Sequence, residues 1–261
     1  MKQQNIEFTW LGQGGARFQY KNTVIYIDPY LSHSVQELDA PDLVRQTPIH
    51  ITPKSVKDAD LVLITHSHID HCDPHTIPII ANNSPQAKFV GPESITRILK
   101  HWGIPSNRII ETKDSWVEIN ESIRIFPTPA AHPEITTNKK GYYQQIGFIL
   151  KFGKCIIYLA GDTFLCDELV DTLKSLPKID TAILPVNEHN YYRNKRGIIG
   201  NMSVRDALGL ALELEVKRLI PVHWDMFSIN STHPDEIRLL HKHLAADITL
   251  LMPIPFQINT L

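Results

Sequence analysis

Four short apolar runs in this chain each lead into a side chain that can bind a metal, and that repetition constrains the fold more than any other feature. Residues 60–65 run into His66, and residues 122–126 lead through a Pro-rich turn to His132. Residues 155–160 run into Gly161-Asp162, and residues 218–222 into His223. A short apolar run bounded by turn signals reads as a buried strand. Four such strand ends converging on one rim would bring the ligand-type residues together, where α/β folds build their sites. The first end is the densest. Residues 65–73 read Thr-His-Ser-His-Ile-Asp-His-Cys-Asp, so His66, His68, Asp70 and His71 fall within six positions. His66 and His68 share one face of an extended segment, and Asp70 and His71 follow where the chain turns toward a helix. One ion on the first pair and a second on the later pair is the arrangement this spacing suggests. Imidazole and carboxylate donors at this density suit a zinc-like ion better than a merely polar loop.

The elements around these ends alternate. Residues 6–11, 16–20 and 23–28 read as strands joined by tight turns, hence antiparallel hairpins. Residues 31–57 are polar and Pro-punctuated, a long loop with a short helix. Residues 74–81 read as helix and 88–91 as strand. Over 93–102, Ile95, Ile98, Leu99 and Trp102 recur at helical spacing, and Gly103 and Pro105 end the helix. Strands are expected again at 116–119, 122–126, 145–152, 155–160, 181–186 and 218–222. Ser203 with Asp206 three residues on opens a helix as a capping box, and a last helix is expected from near Thr232. The reading is α/β, mixed sheets with helices outside, in two similar halves, with residues 1–261 forming a single domain.

Composition narrows the function classes. Lys+Arg 26 against Asp+Glu 28 gives a net charge of -2, which offers no reason to bind long nucleic acid or an anionic membrane. Three cysteines do not make a disulfide framework. No apolar run reaches the ~18 residues of a membrane span, and the start lacks the apolar core of a signal peptide. A cytoplasmic protein acting on a small molecule is expected, and a homo-oligomer is compatible with the chain.

On these residues the chain resembles the metallo-β-lactamase superfamily, whose pattern is His-x-His-x-Asp-His followed by a His, an Asp and a His, each after a strand end. Within it the chain is most similar to the L-ascorbate-6-phosphate lactonase-like branch, on Trp10-Leu11-Gly12, Gly91-Pro92-Glu93-Ser94, Trp102-Gly103-Ile104-Pro105, Ala160-Gly161-Asp162 and Pro221-Val222-His223-Trp224-Asp225. The resemblance implies a four-layer αββα fold. It also implies one ion on His66, His68 and His132, a second on Asp70, His71 and His223, and Asp162 between both. Zinc is the default metal, with manganese or iron as alternatives. His68, where redox members carry Glu, favours hydrolysis. The implied activity is a dinuclear metal-dependent hydrolase that uses a metal-bound hydroxide on a small ester-like substrate, a lactone or phosphorylated lactone first. Asp70 would both bind metal and orient the hydroxide. A phosphodiesterase or nuclease, or a non-catalytic metal-binding protein, are the alternatives.

Several further residues are candidates. Asp28, before Pro29, is either a partner that orients a ligand histidine or the start of an Asx turn. The segment 187–196 is polar, aromatic and basic. It is read as a lid, with His189 and Asn190 near substrate and Arg193, Lys195 or Arg196 meeting a phosphate or carboxylate, or else as a solvated loop. Trp224 is placed on a pocket wall. Cys72 is read as a buried small residue, and His75 and His101 as helix residues.

Overall fold

The computed structural model describes residues 5–261. Residues 1–4, where the stretch expected to lack a signal-peptide core begins, lie outside the described residues. The chain forms two compact units, residues 5–112 with 253–261 and residues 113–252.

The first unit begins with three antiparallel strands, β1 (Ile6–Gly12), β2 (Gly15–Tyr20) and β3 (Thr23–Ile27). Their pairing follows from alternation: Phe8 and Phe18 stand directly opposite, ring centroids 5.3 Å apart, the kind of cross-strand aromatic pair that fixes register. After the short helix α1 (Ser34–Leu38) the topology switches to parallel. Strands β4 (Leu61–Leu63), β5 (Lys88–Gly91) and β6 (Ile109–Glu111) add successively beside β3, with helices α2 (Ile77–Asn83) and α3 (Glu93–His101) in the crossovers. Ile95 and Leu99 of α3 are buried and Ile98 and Trp102 pack against the same core, as their spacing predicts. Gly103 ends the helix at φ +80°.

The second unit repeats the plan. Strands β7 (Val117–Asn120), β8 (Ile123–Pro129), β9 (Ile146–Phe152) and β10 (Cys155–Leu159) are antiparallel. Helix α4 (Asp167–Ser175) follows, then β11 (Thr181–Pro185), helices α5 (Tyr191–Lys195) and α6 (Val204–Glu213), β12 (Arg218–Val222), α7 (Pro234–Leu244) and β13 (Thr249–Leu250). Strands β10 to β13 are parallel. The chain then returns to the first unit, where β14 (Ile258–Thr260) pairs antiparallel with β1. Each unit therefore carries a seven-stranded mixed sheet with helices, the expected fold class.

The last helix begins at Pro234, near Thr232 as expected, and is capped by His233, whose side chain accepts from the Asp235 N–H, while the Thr232 hydroxyl donates to the Val186 carbonyl at 2.6 Å. Two local expectations need correction. His75 precedes α2 in a turn held by the Asp73 carboxylate, which accepts the His75 N–H at 2.9 Å. Residues 191–195 are a short helix rather than a loop. Among the described residues no helix is long and apolar enough to cross a membrane.

Candidate metal centre

In the first unit β3 and β4 run parallel, with Ile27 beside Leu63, so Asp28 and Thr65 leave the sheet at the same end. Asp28 turns sharply there, at φ 43°, a conformation side chains other than glycine rarely hold. The turn points its buried carboxylate back along the neighbouring strand end. Oδ1 accepts the Thr65 N–H at 2.8 Å, and Oδ2 accepts both the Thr65 hydroxyl at 2.6 Å and His71 Nδ1 at 2.8 Å. No Asx turn forms; the carboxylate holds a histidine.

These bonds settle where the imidazole protons sit. Asp28 can only accept, so His71 Nδ1 carries a proton, and in the neutral imidazole Nε2 keeps a lone pair. Thr65 gives its one hydroxyl proton to Asp28, so the same oxygen accepts from His66 Nδ1, 3.0 Å away. His66 Nε2 therefore also keeps a lone pair. It lies 3.0 Å from His68 Nδ1, and the two rings meet edge-on at 4.7 Å. His66 and His71 are buried and His68 is exposed. The chain bends at Ser67 and His68 instead of staying extended, and His71 and Cys72 N–H both return to the His68 carbonyl. Asp70 Oδ2 lies 3.6 Å from His71 Nε2.

A residue that sequence reasoning passed over fixes Asp70. Gln13, in the turn between β1 and β2, donates from Nε2 to Asp70 Oδ2 at 2.7 Å. Gln13 is buried at φ 52°, and Trp10 Nε1 donates to its carbonyl at 2.9 Å. The Gly12-Gln13-Gly14-Gly15 turn was the only signal, and it spoke of a hairpin. Cys72 is buried in the core, where burial first, then the Asp28 and Asp73 charges, push its thiol far up. It is a packing residue, as its simpler reading had it.

In the second unit β8 and β10 flank β9 antiparallel, so both run the same way and their carboxyl ends share one edge. β12, two strands over, ends there too. His132, Asp162 and His223 follow these three ends. Gly161 at φ 63° and His223 at φ 63° make the turns. The loops carrying His132 and Asp162 are stitched together: Thr163 Oγ1 accepts the Ala131 N–H at 2.9 Å, and the Phe164 N–H donates to the Ala131 carbonyl at 2.8 Å. Asp162 Oδ2 then faces His223 Nε2 at 3.2 Å and His132 Nε2 at 3.6 Å, all three side chains buried.

The remaining candidates divide. His189 lies edge-to-face against Phe164, centroids 5.2 Å apart. Asn190 caps α5, its side chain accepting the Arg193 N–H at 3.0 Å. Arg193 corrects the phosphate expectation. Its buried guanidinium donates to the carbonyls of Asn187, Glu188, Ile229 and Ser231, so it braces two loops. Lys195 lies over the Tyr191 ring at 5.0 Å. Trp224 Nε1 donates to the Pro221 carbonyl at 3.1 Å, and the indole packs on the second unit's core.

With this geometry in hand, comparison with known proteins gives the class. A family model described as the beta-lactamase superfamily domain matches residues 23–224, and the chain belongs to that family. It is 24% identical over 234 residues to a metal-dependent hydrolase of Pyrobaculum aerophilum, covering 89% of this chain and 90% of that one. It is 27% identical over 210 residues to a probable L-ascorbate-6-phosphate lactonase of Salmonella choleraesuis, where the match covers 76% of this chain but 58% of the lactonase. The fold is that of a solved metallo hydrolase from Ignicoccus hospitalis, with TM-score 0.74 at 22% identity over 98% of both chains.

Proposed function

We propose that residues 1–261 act as one metal-dependent hydrolase domain with a dinuclear centre, acting on small carboxylic esters or lactones. In this reading His66, His68 and His132 hold one ion, Asp70, His71 and His223 the other, and Asp162 serves both. The observation that carries it is the commitment of the His66 and His71 Nδ1 protons to the Asp28–Thr65 relay, which leaves two buried Nε2 lone pairs with the tautomer a metal requires. Such buried imidazoles and carboxylates fit a zinc-like ion, and manganese or iron remain alternatives to it. The ions supply a water acidic enough to be deprotonated at neutral pH and a Lewis acid for the carbonyl under attack. Asp70, with Oδ2 held by Gln13, orients the attacking water. Asp28 keeps His71 in register. No serine or cysteine nucleophile is needed.

The relationship to a named lactonase supports the ester or lactone class, but a phosphorylated substrate loses support because Arg193 is committed to backbone carbonyls. The test is metal analysis of protein purified without added metal, alongside hydrolysis of a panel of esters, lactones and phosphodiesters before and after chelation. About two ions per chain are expected, with ester or lactone turnover abolished by chelation and restored by zinc or manganese. One tightly held ion with all seven side chains intact would defeat the dinuclear centre. Turnover that ignores chelation would defeat the metal dependence.

A further inference from the structure

A group of side chains in the second unit is used by none of the ligand positions. Two residues past Asp162 a cleft of about 770 Å³ begins, walled by the start of α4 on one side and by residues 201–213 on the other. Asp167, Asp171, Asp206 and Glu213 line it against one cation, Lys174. Lys174 bonds Glu213, and Asp206 closes the capping box on Ser203. Asp167 and Asp171 carry the remaining negative charge.

Asn201 supplies the second observation. It lines the cleft with 1% of its surface exposed. Its Nδ2 donates to Asn187 Oδ1 at 2.9 Å, and Asn187 Nδ2 donates onward to Asn230 Oδ1 at 3.1 Å. That relay leaves Asn201 Oδ1, a buried acceptor with no donor among the described residues. The backbone around it is closely packed. Asn201 O accepts the His189 N–H at 3.0 Å, and a Cβ on the preceding Gly200 would come within 2.3 Å of the Glu188 carbonyl oxygen. A buried acceptor left unmet is costly, so the site favours a ligand that brings N–H donors. Four carboxylates against the single Lys174 favour a ligand that is positive.

The geometry points to a subsite for a primary ammonium group on the substrate, seated between Asn201 Oδ1 and the Asp167 and Asp171 carboxylates. This rests on the hydrolase reading above and narrows it to amine-bearing esters or lactones. The Phe164–His189 pair adds an aromatic wall that a cation tolerates.

The test needs no turnover. Amide shifts of Leu165, Asn201 and Ser203 are followed in the ¹⁵N-labelled full chain during titration with n-butylammonium, n-butyltrimethylammonium, butan-1-ol and butyrate at low ionic strength. Butylammonium is expected to move these amides most and the trimethyl analogue less, with butanol and butyrate having little effect. The double variant Asp167→Asn/Asp171→Asn should weaken butylammonium about five-fold, since two exposed charges are removed. Equal response to butanol, stronger response to butyrate, or an unchanged affinity in the double variant would overturn the subsite. Equal binding of the two ammonium ions would remove Asn201 from it, and with it the primary-amine assignment. If butylammonium binds here but no ester is hydrolysed, the hydrolase reading fails and the subsite stands. If neutral and cationic esters turn over alike with no amide shift, the reverse holds.

Discussion

The two units solve the same problem in opposite ways. Both set their ligand-type residues just past the carboxyl ends of strands that run the same way, and both use a left-handed residue to leave the sheet. In the first unit the organising carboxylate lies behind the histidines: Asp28 accepts from Thr65 and His71, Thr65 accepts from His66, and the Nε2 lone pairs of both histidines face away from it. In the second the carboxylate stands among the histidines, with Asp162 Oδ2 facing both His132 and His223. The first unit is therefore organised by a residue that need not touch an ion. The second is organised by one that would.

The largest effect should come from the second arrangement. Asp162→Ala is expected to lower ester hydrolysis by about a hundredfold or more, beyond either His132→Ala or His223→Ala, because one shared carboxylate serves both ions in the proposed centre. Metal content per chain should fall with it. Equal and mild losses in all three variants would show that Asp162 is not shared.

Asp28→Asn tests the first unit. An asparagine can still accept the Thr65 N–H, but its Nδ2 faces His71 Nδ1 as a donor. That drives the imidazole proton to Nε2 and blocks the lone pair. Metal affinity measured against a chelating dye should fall about ten- to a hundredfold. Thr65→Val interrupts only the relay to His66 and should cost less. If the two variants weaken binding equally, Asp28 is not the hub.

Most of the framework that carries these sites was legible. Alternation predicted β1 to β3, helical spacing predicted α3, and the Ser203–Asp206 capping box is present on both of its bonds. The ligand-type residues announced themselves because their chemistry and their strand ends are both local in sequence. What stayed hidden depends on contacts between distant residues. Gln13 meets Asp70 across 57 positions. β14 pairs with β1 from the far end of the chain. Arg193 looked like a cation awaiting an anion, and only the fold brings the Ile229 and Ser231 carbonyls to it. Helix α4 was missed because its buried stripe is narrow, with Leu169 and Leu173 alone fully inside.

Gln13 sharpens the comparison, since it holds the half-buried Asp70 of the first unit's proposed ligand set. Gln13→Ala removes a hydrogen bond to a charged acceptor, which is worth ~1.5 kcal/mol or more. Turnover should drop about tenfold while metal content holds. Gln13→Glu should be worse, because it sets a second carboxylate against Asp70. An alanine variant with full activity would reduce Gln13 to a turn residue.

The smallest effect compares the two cores at high pH. Tyr26 in β3 has its hydroxyl pushed up to about 12 by burial first and then by the Asp58 carboxylate it donates to. Tyr158 in β10 is wholly buried and is also raised, by burial. In each case the folded protein keeps a proton that the unfolded chain releases near pH 10. The folded state then binds more protons between those values, so stability is full below pH 10 and falls as pH rises through the folded value. For Tyr26 the loss is about 1 kcal/mol at pH 11. Phenylalanine cannot ionise, so Tyr26→Phe and Tyr158→Phe should each flatten the decline in urea melts between pH 9 and 11 (about the range where a free tyrosine ionises). Tyr158, raised by burial first, with the Thr128 hydroxyl opposing and the Cys166 thiol adding to it, has no carboxylate beside it. A slope unchanged in Tyr158→Phe but flattened in Tyr26→Phe would place the alkaline weakness in the first unit, through the Asp58 contact, and not in the buried core of the second.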